Sequence, residues 1–203
     1  MGCGWTFPNT DFSRVTAIEV VNGDLAEGPA SGISFWQEQL NKGLRITGLG
    51  GSDNHDAGLS SDARSAVGRP TTVIYAQALS ERAILDAIRA GHVFIDVEGT
   101  KDRIVEFEAK TGVSTASMGD SIDAPAGQLV HFTVKMSALD GAYPEIIQDG
   151  ETTALIDKSV FSKPDETRGF DYVSDGKGHW FRVNVRSTGG SLLIVGNPIY
   201  LNF

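Results

Sequence analysis

The hydrophobic period of the chain changes once, near Gly99, and that change decides what it can build. Upstream, apolar runs of strand length alternate with apolar residues at helical spacing. Val15-Thr16-Ala17-Ile18-Glu19-Val20-Val21 is a β-branched run closed by Asn22-Gly23. Pro29 to Gly32 punctuate it, Ile33, Trp36, Gln37 and Leu40 fall at helical spacing, and Gly43 stands where a helix should stop. Leu44 to Leu49 is the next apolar run. Strand, helix and strand with short joins make a βαβ unit, which implies parallel pairing. A polar loop runs from Gly50 to Arg69. Pro70 then precedes a strand over Thr71 to Tyr75, Ser80 and Glu81 start a helix, and Gly91 ends it. Ala83, Ile84, Ala87 and Ile88 form its apolar face, and His92 to Val97 is one more strand. Residues 15 to 97 therefore predict consecutive β/α units.

Downstream the helical period disappears. Short alternating runs take its place at Ile104 to Ala109, Leu129 to Met136, Glu145 to Gln148, Thr153 to Ile156, Gly169 to Val173, Trp180 to Val185 and Leu192 to Val195. In the second run Val130, Phe132, Val134 and Met136 share one face, and His131, Thr133 and Lys135 share the other. Asp149-Gly150 is a two-residue hairpin signal. Short strands separated by turn signals predict an antiparallel β-sandwich. The expected fold class is thus α/β followed by all-β, with residues 1–99 in the first part and 100–203 in the second.

The chemistry concentrates where one of the upstream strands runs out. Leu44-Arg45-Ile46-Thr47 leads into Gly48-Leu49-Gly50-Gly51-Ser52-Asp53-Asn54-His55-Asp56. If the backbone stays extended there, Asp53 and His55 point the same way. A carboxylate and an imidazole converging on one point is metal-ligand chemistry, and glycines beside them let the backbone pass close to a bound group. An Asp-x-His in a glycine-rich loop is also a common turn, with Asp53 or Asn54 bonding its own backbone. A divalent site needs three or four protein ligands, and only two are visible.

Totals narrow the partners. The 203 residues carry 17 basic and 26 acidic side chains, a net charge of −9. That balance speaks against nucleic acid or an anionic membrane as partner, since both call for a basic surface. A small phosphate ester stays compatible, because a metal inverts the local field. The lone cysteine, Cys3, allows no intramolecular disulfide, and no apolar run approaches a membrane span. The opening residues lack the basic and apolar regions of a signal peptide, and Trp5, Phe7 and Phe12 crowd together there like a loop entered midway. The compartment stays open between the cytoplasm and export.

With these residues in place, a resemblance emerges. Gly51-Ser52-Asp53-Asn54-His55 resembles the last metal-binding motif of the polymerase-and-histidinol-phosphatase (PHP) superfamily of metal-dependent phosphoesterases. Ala17 to Gly23, Trp36 to Gly43, Gly68-Arg69-Pro70-Thr71-Thr72 and Ala87 to Gly91 are similar to its carbaryl-hydrolase-like branch. So are Met118-Gly119-Asp120, Trp180-Phe181-Arg182 and Asn197-Pro198-Ile199-Tyr200. The resemblance implies the C-terminal part of a distorted β/α barrel, followed by the sandwich. It implies divalent ions (zinc, manganese or iron) that activate water against a phosphate ester or related bond. Asp53 and His55 would be metal ligands. The remaining family ligands lie upstream of anything present here, so the chain is expected to be the back part of a longer protein, close to inactive alone and prone to self-association through uncovered barrel edges or to mobility in its first hundred residues.

Within that frame Asp53 is also a candidate base for the attacking water. Asn22 ends a strand on the same face and is a candidate for lining the pocket, although an Asn-Gly turn is the commoner reading. Arg69 is a candidate for holding a substrate anion, although a loop arginine on the surface is the commoner case. His92, His131 and His179 are expected to be structural. The alternative to the hydrolase is a non-catalytic ligand- or protein-binding sandwich module.

Overall fold

The first β/α unit forms as its residues predict. In the computed structural model, which describes residues 7, 9–63, 65–112 and 114–203, β1 (Ala17–Asn22) and β2 (Thr47–Gly51) flank α1 (Ile33–Asn41). The strands pair in parallel, Ala17 opposite Thr47 and Asn22 opposite Gly51, with a register shift between Glu19 and Val21. Trp36 and Leu40 are the buried apolar stripe of α1, and the Trp36 indole donates to the Ile46 carbonyl at 2.7 Å. Cys3 and Trp5 lie outside the described residues.

Past β2 the expected barrel does not form, and this corrects the α/β expectation. A β/α barrel needs a continuous parallel ladder. Here β3 (Thr71–Ile74) and β4 (Val93–Asp96) pair antiparallel, Thr71 opposite Asp96, although α2 (Glu81–Ala90) lies between them. The segment 75–92 leaves and re-enters at one end of the pair. The Tyr75 amide bonding the His92 carbonyl at 2.9 Å closes that loop. Nor, among the described residues, does β2 pair with a second strand. The Thr72 hydroxyl accepts from Gly50 N–H at 2.9 Å and donates to its carbonyl at 2.7 Å. The Asn197 amide likewise bonds both Gly48 backbone groups, at 2.8 and 3.0 Å. Side chains thus satisfy the edge where the next strand of a barrel would sit.

The described residues are mostly β: fourteen strands against two α-helices, both helices upstream of residue 100. After β4 come β5 (Ile104–Lys110), β6 (Thr115–Ser117), β7 (Ser121–Ile122), β8 (Leu129–Ser137), β9 (Ala142–Gln148), β10 (Glu151–Thr152), β11 (Asp165–Val173), β12 (His179–Ser187), β13 (Leu192–Gly196) and β14 (Ile199–Leu201). One four-stranded sheet has the order β11-β8-β5-β6. An eight-stranded sheet has the order β10-β9-β12-β13-β4-β3, with β14 attached at β12 and β7 pairing β14 in turn. The run expected over Thr153 to Ile156 is not a strand. The chain leaves the ladder where Thr153 bonds the Ile146 carbonyl, and Ile156 turns inward as a plug, 4% exposed.

The two sheets form a sandwich-like pair. From β8, Val130, Phe132, Val134 and Met136 face inward as the alternation predicts, meeting Phe181, Val183 and Val185 of β12. Phe132 is the hub, with its ring 4.8 Å from Phe170 and 4.8 Å from Phe181. The other face of the larger sheet is covered as well. Ile95, Ile147, Trp180 and Val195 pack against Val20, Val21, Trp36 and Leu40 of the β1-α1-β2 unit. The larger sheet is therefore a middle layer with a core on each side, built by strands from both before and after residue 100.

Candidate active site

Because β1 and β2 are parallel, they end together, and the loops that leave them meet. Gly23 N–H donates to the Gly51 carbonyl at 2.8 Å. The backbone does not stay extended into the Asp53 loop: β2 stops at Gly51, and Asp53 takes a left-handed conformation, φ +48°. Asp is one of the few side chains that tolerate this region, because it bonds locally. The turn still brings the two groups together, with His55 Nε2 3.1 Å from Asp53 Oδ1. Both side chains are exposed, at 85% for His55 and 55% for Asp53.

The spacing decides what this pair can hold. Two donors each about 2.1 Å from one ion stand about 3.0 Å apart at a right angle and about 3.4 Å apart at the tetrahedral angle. The observed 3.1 Å fits neighbouring positions around a zinc, manganese or iron ion as well as it fits a direct hydrogen bond. Among the described residues no group of three or more His, Cys, Asp or Glu stands close enough together to hold a metal. The pair thus brings two donor atoms, and no more, to one point.

The neighbouring candidates divide. The Asn22 amide donates to Glu19 Oε2 at 3.3 Å and lies opposite Gly51 in the ladder, two residues before Asp53. Arg69 is not beside that pair by any bond it makes; its guanidinium donates to the Asp62 carbonyl at 3.1 Å and braces the loop. Asn54 donates to the Ser65 carbonyl at 2.8 Å, and Asp56 accepts from Gly58 N–H at 2.9 Å, so both serve turns. Glu19 is the residue that the sequence reading missed. Its carboxylate sits against Gly51, where a Cβ would come within 2.2 Å of Oε1. Its signal was an acid inside a β-branched run.

The other histidines each face a carboxylate. His131 bonds Asp171 at 2.7 Å across the β8–β11 ladder on the solvent face. His179 lies between Asp149 and Asp175. His92 Nε2 is 3.0 Å from Asp120 Oδ1, in a cleft of about 390 Å³ that Tyr75, Glu106, Glu108 and Ser117 also line. Burial, reinforced by the Glu106 charge, pushes the Tyr75 hydroxyl up, so it remains a donor to the Val105 carbonyl at 2.8 Å.

No family model matches the chain, and no curated protein matches it. Among the described residues no helix is long and apolar enough to cross a membrane.

Proposed function

We propose that this chain carries one side of a divalent-metal site in a hydrolase of the PHP phosphoesterase kind, acting on a small-molecule phosphate ester or a related bond. The observation that supports it is the Asp53–His55 pair, at ligand spacing where two parallel strands end. Bound there, a zinc, manganese or iron ion supplies Lewis acidity and lowers the pKa of water. His55 would contribute a ring nitrogen to it, and Asp53 one carboxylate oxygen. The second Asp53 oxygen would be left to accept a proton as a base. Asn22, held by Glu19, lines the same strand ends. Arg69, which spends one Nη1–H on the Asp62 carbonyl, would offer its other N–H donors to a substrate anion. With two protein ligands the chain alone is expected to bind metal weakly and to hydrolyse little.

Calorimetric titration with zinc and with manganese tests this reading. Asp53→Asn and His55→Ala should each weaken binding at least about tenfold. Affinity unchanged from that of the unaltered chain in both variants removes the reading. The cleft at His92 and Asp120 favours a second one, a non-catalytic ligand-binding sandwich module. An unaltered chain with no metal affinity selects it.

A further inference from the structure

Arg45 stands just ahead of β2 with its charge unanswered. Its Nη2 donates to the Gly119 carbonyl at 2.6 Å, and its guanidinium carbon lies 4.7 Å from the centre of the Tyr200 ring. Among the described residues it pairs with no carboxylate. One carbonyl and one ring face thus fix the guanidinium in place and leave its other N–H donors without partners. Tyr200, beneath it, is 3% exposed, yet its hydroxyl has no hydrogen-bond partner among the described residues. A buried tyrosine usually places its O–H on an acceptor, as Tyr75 does on the Val105 carbonyl. Nor is the Tyr200 hydroxyl sealed in, because among the described residues Arg182 Nε is the one fully enclosed side-chain nitrogen or oxygen that lacks a partner. Burial pushes the Tyr200 phenol up and Arg45 opposes that only in part, so the hydroxyl keeps its proton at neutral pH.

Arg45 and Tyr200 share a cavity of about 80 Å³ with Arg89, Gly91, Gly119 and Asn197, and no acid among the described residues lines it. Arg89 bonds Asp86 at 3.0 Å, one turn back on α2, and Asp86 also faces Arg82 at 3.6 Å. Asp120, next to Gly119, turns its carboxylate to His92 and to the Ser117 N–H. The carbonyl end of α2 reaches the cavity as well. Its Ala87 and Ile88 carbonyls are already engaged by the Gly91 and His92 N–H groups and by the Thr47 hydroxyl. Two guanidinium charges, against Asp86 and about half a charge from the helix end, leave the cavity positive. The Asn197 amide is occupied by Gly48 and Val93, so the side-chain groups of the wall that still lack partners are donors.

We propose that this cavity binds one oxyanion, the phosphate or carboxylate end of a small metabolite, between the Arg45 and Arg89 guanidinium groups and the Tyr200 hydroxyl. A guanidinium fork matches the oxygen spacing of either group, and the phenol adds a neutral donor. At about 30 Å³ for each water, a cavity of about 80 Å³ has room for a few waters or for one such group, so the rest of the ligand stays outside. The site does not rest on the proposed metal pair. Arg45 precedes β2 and Asp53 follows it, so the two stand at opposite ends of that strand.

The test follows the Arg45 Nε–H and Gly119 N–H resonances by NMR, at constant ionic strength, during separate titrations with inorganic phosphate and with acetate. The expected result is a saturable shift with a Kd below about 10 mM for at least one anion, a range set by the few atoms of such ligands. The tighter arm tells a phosphate from a carboxylate source. Tyr200→Phe deletes only the hydroxyl. Because that group bonds nothing in the protein alone, the variant should keep the melting temperature of the unaltered chain while its affinity falls at least about tenfold. Arg45→Gln should weaken binding by at least as much. If Arg45→Gln does not fold, Tyr200→Phe decides. No saturable shift with either anion overturns the proposal. An affinity that is unchanged in Tyr200→Phe means an adventitious ion only, and also overturns it.

Discussion

His179 shows how much one side chain can couple to pH in this molecule. Burial works against its protonation, but hydrogen bonds and charges from Asp149 and Asp175 outweigh it and raise its pKa above 6.5. Asp175 moves the other way: the Lys177 amide lowers its pKa, burial opposes, and His179 adds to the lowering. A raised folded-state pKa means that the His179 contribution is complete below about pH 6.5 and is lost as pH climbs through the folded value. The Asp175 contribution is present above about pH 3.8 and is lost as pH falls through its lowered value. His179→Gln should therefore lower the melting temperature more at about pH 5.5 than at about pH 8.5. Equal losses at both would show that the bridge adds no pH-linked stability. The sequence marks His179 only as structural, and its two acids are 30 and 4 residues away, so no local pattern announces the bridge. Arg182 was hidden for a similar reason. In Trp180-Phe181-Arg182-Val183-Asn184-Val185 the alternation looks half-buried, and only a covering layer from α1 makes the polar positions interior.

Single elements were legible where their punctuation is local. Ser80 caps α2 by accepting from Ala83 N–H, and Gly91 ends it at φ +80°, both as the residue types predict. Asp149-Gly150 makes the tight turn between β9 and β10, with both residues at positive φ. What was not legible is how elements pair. The helical connection after β3 suggested a parallel crossover, but β3 pairs antiparallel with β4, and the other partner of β4 is β13, about a hundred residues downstream. Two substitutions around α2 separate local from tertiary effects. Ser80→Ala removes only the cap and should cost about 1 kcal/mol by urea denaturation. Gly119→Ala should cost at least about 2 kcal/mol. Its φ is +92°, and a Cβ would lie 2.0 Å from the Ala90 carbonyl, where the end of α2 presses on the turn after β6. Similar losses would mean that the contact is loose.

For the molecule as a whole, the middle sheet is the unifying structure. Strands β3 and β4 hydrogen-bond into the sheet that holds β9, β12 and β13. Asn197, 1% exposed, ties Gly48 to Val93 through three bonds of 2.8 to 3.0 Å. We therefore expect one cooperative unfolding transition, with tryptophan fluorescence and far-ultraviolet dichroism coinciding. Two separated transitions would show independent units. Asn197→Ala strips the side-chain partner from both Gly48 backbone groups and leaves the Val93 carbonyl only the bond from the residue-197 N–H, and should lower stability by about 2 kcal/mol with the transition still single. The period change at Gly99 correctly signals where helices stop, because periodicity reports local burial. It is silent on the long-range pairing that joins the two regions.

A sheet clad on both sides also limits how the sandwich can be transplanted. Cut out alone, residues 100–203 would lose strands β3 and β4, and Trp180, Ile147, Val195 and Tyr200 would become an open greasy wall. Grafting the sandwich onto another scaffold therefore requires a substitute lid for that wall, one that also accommodates the charge of Arg182.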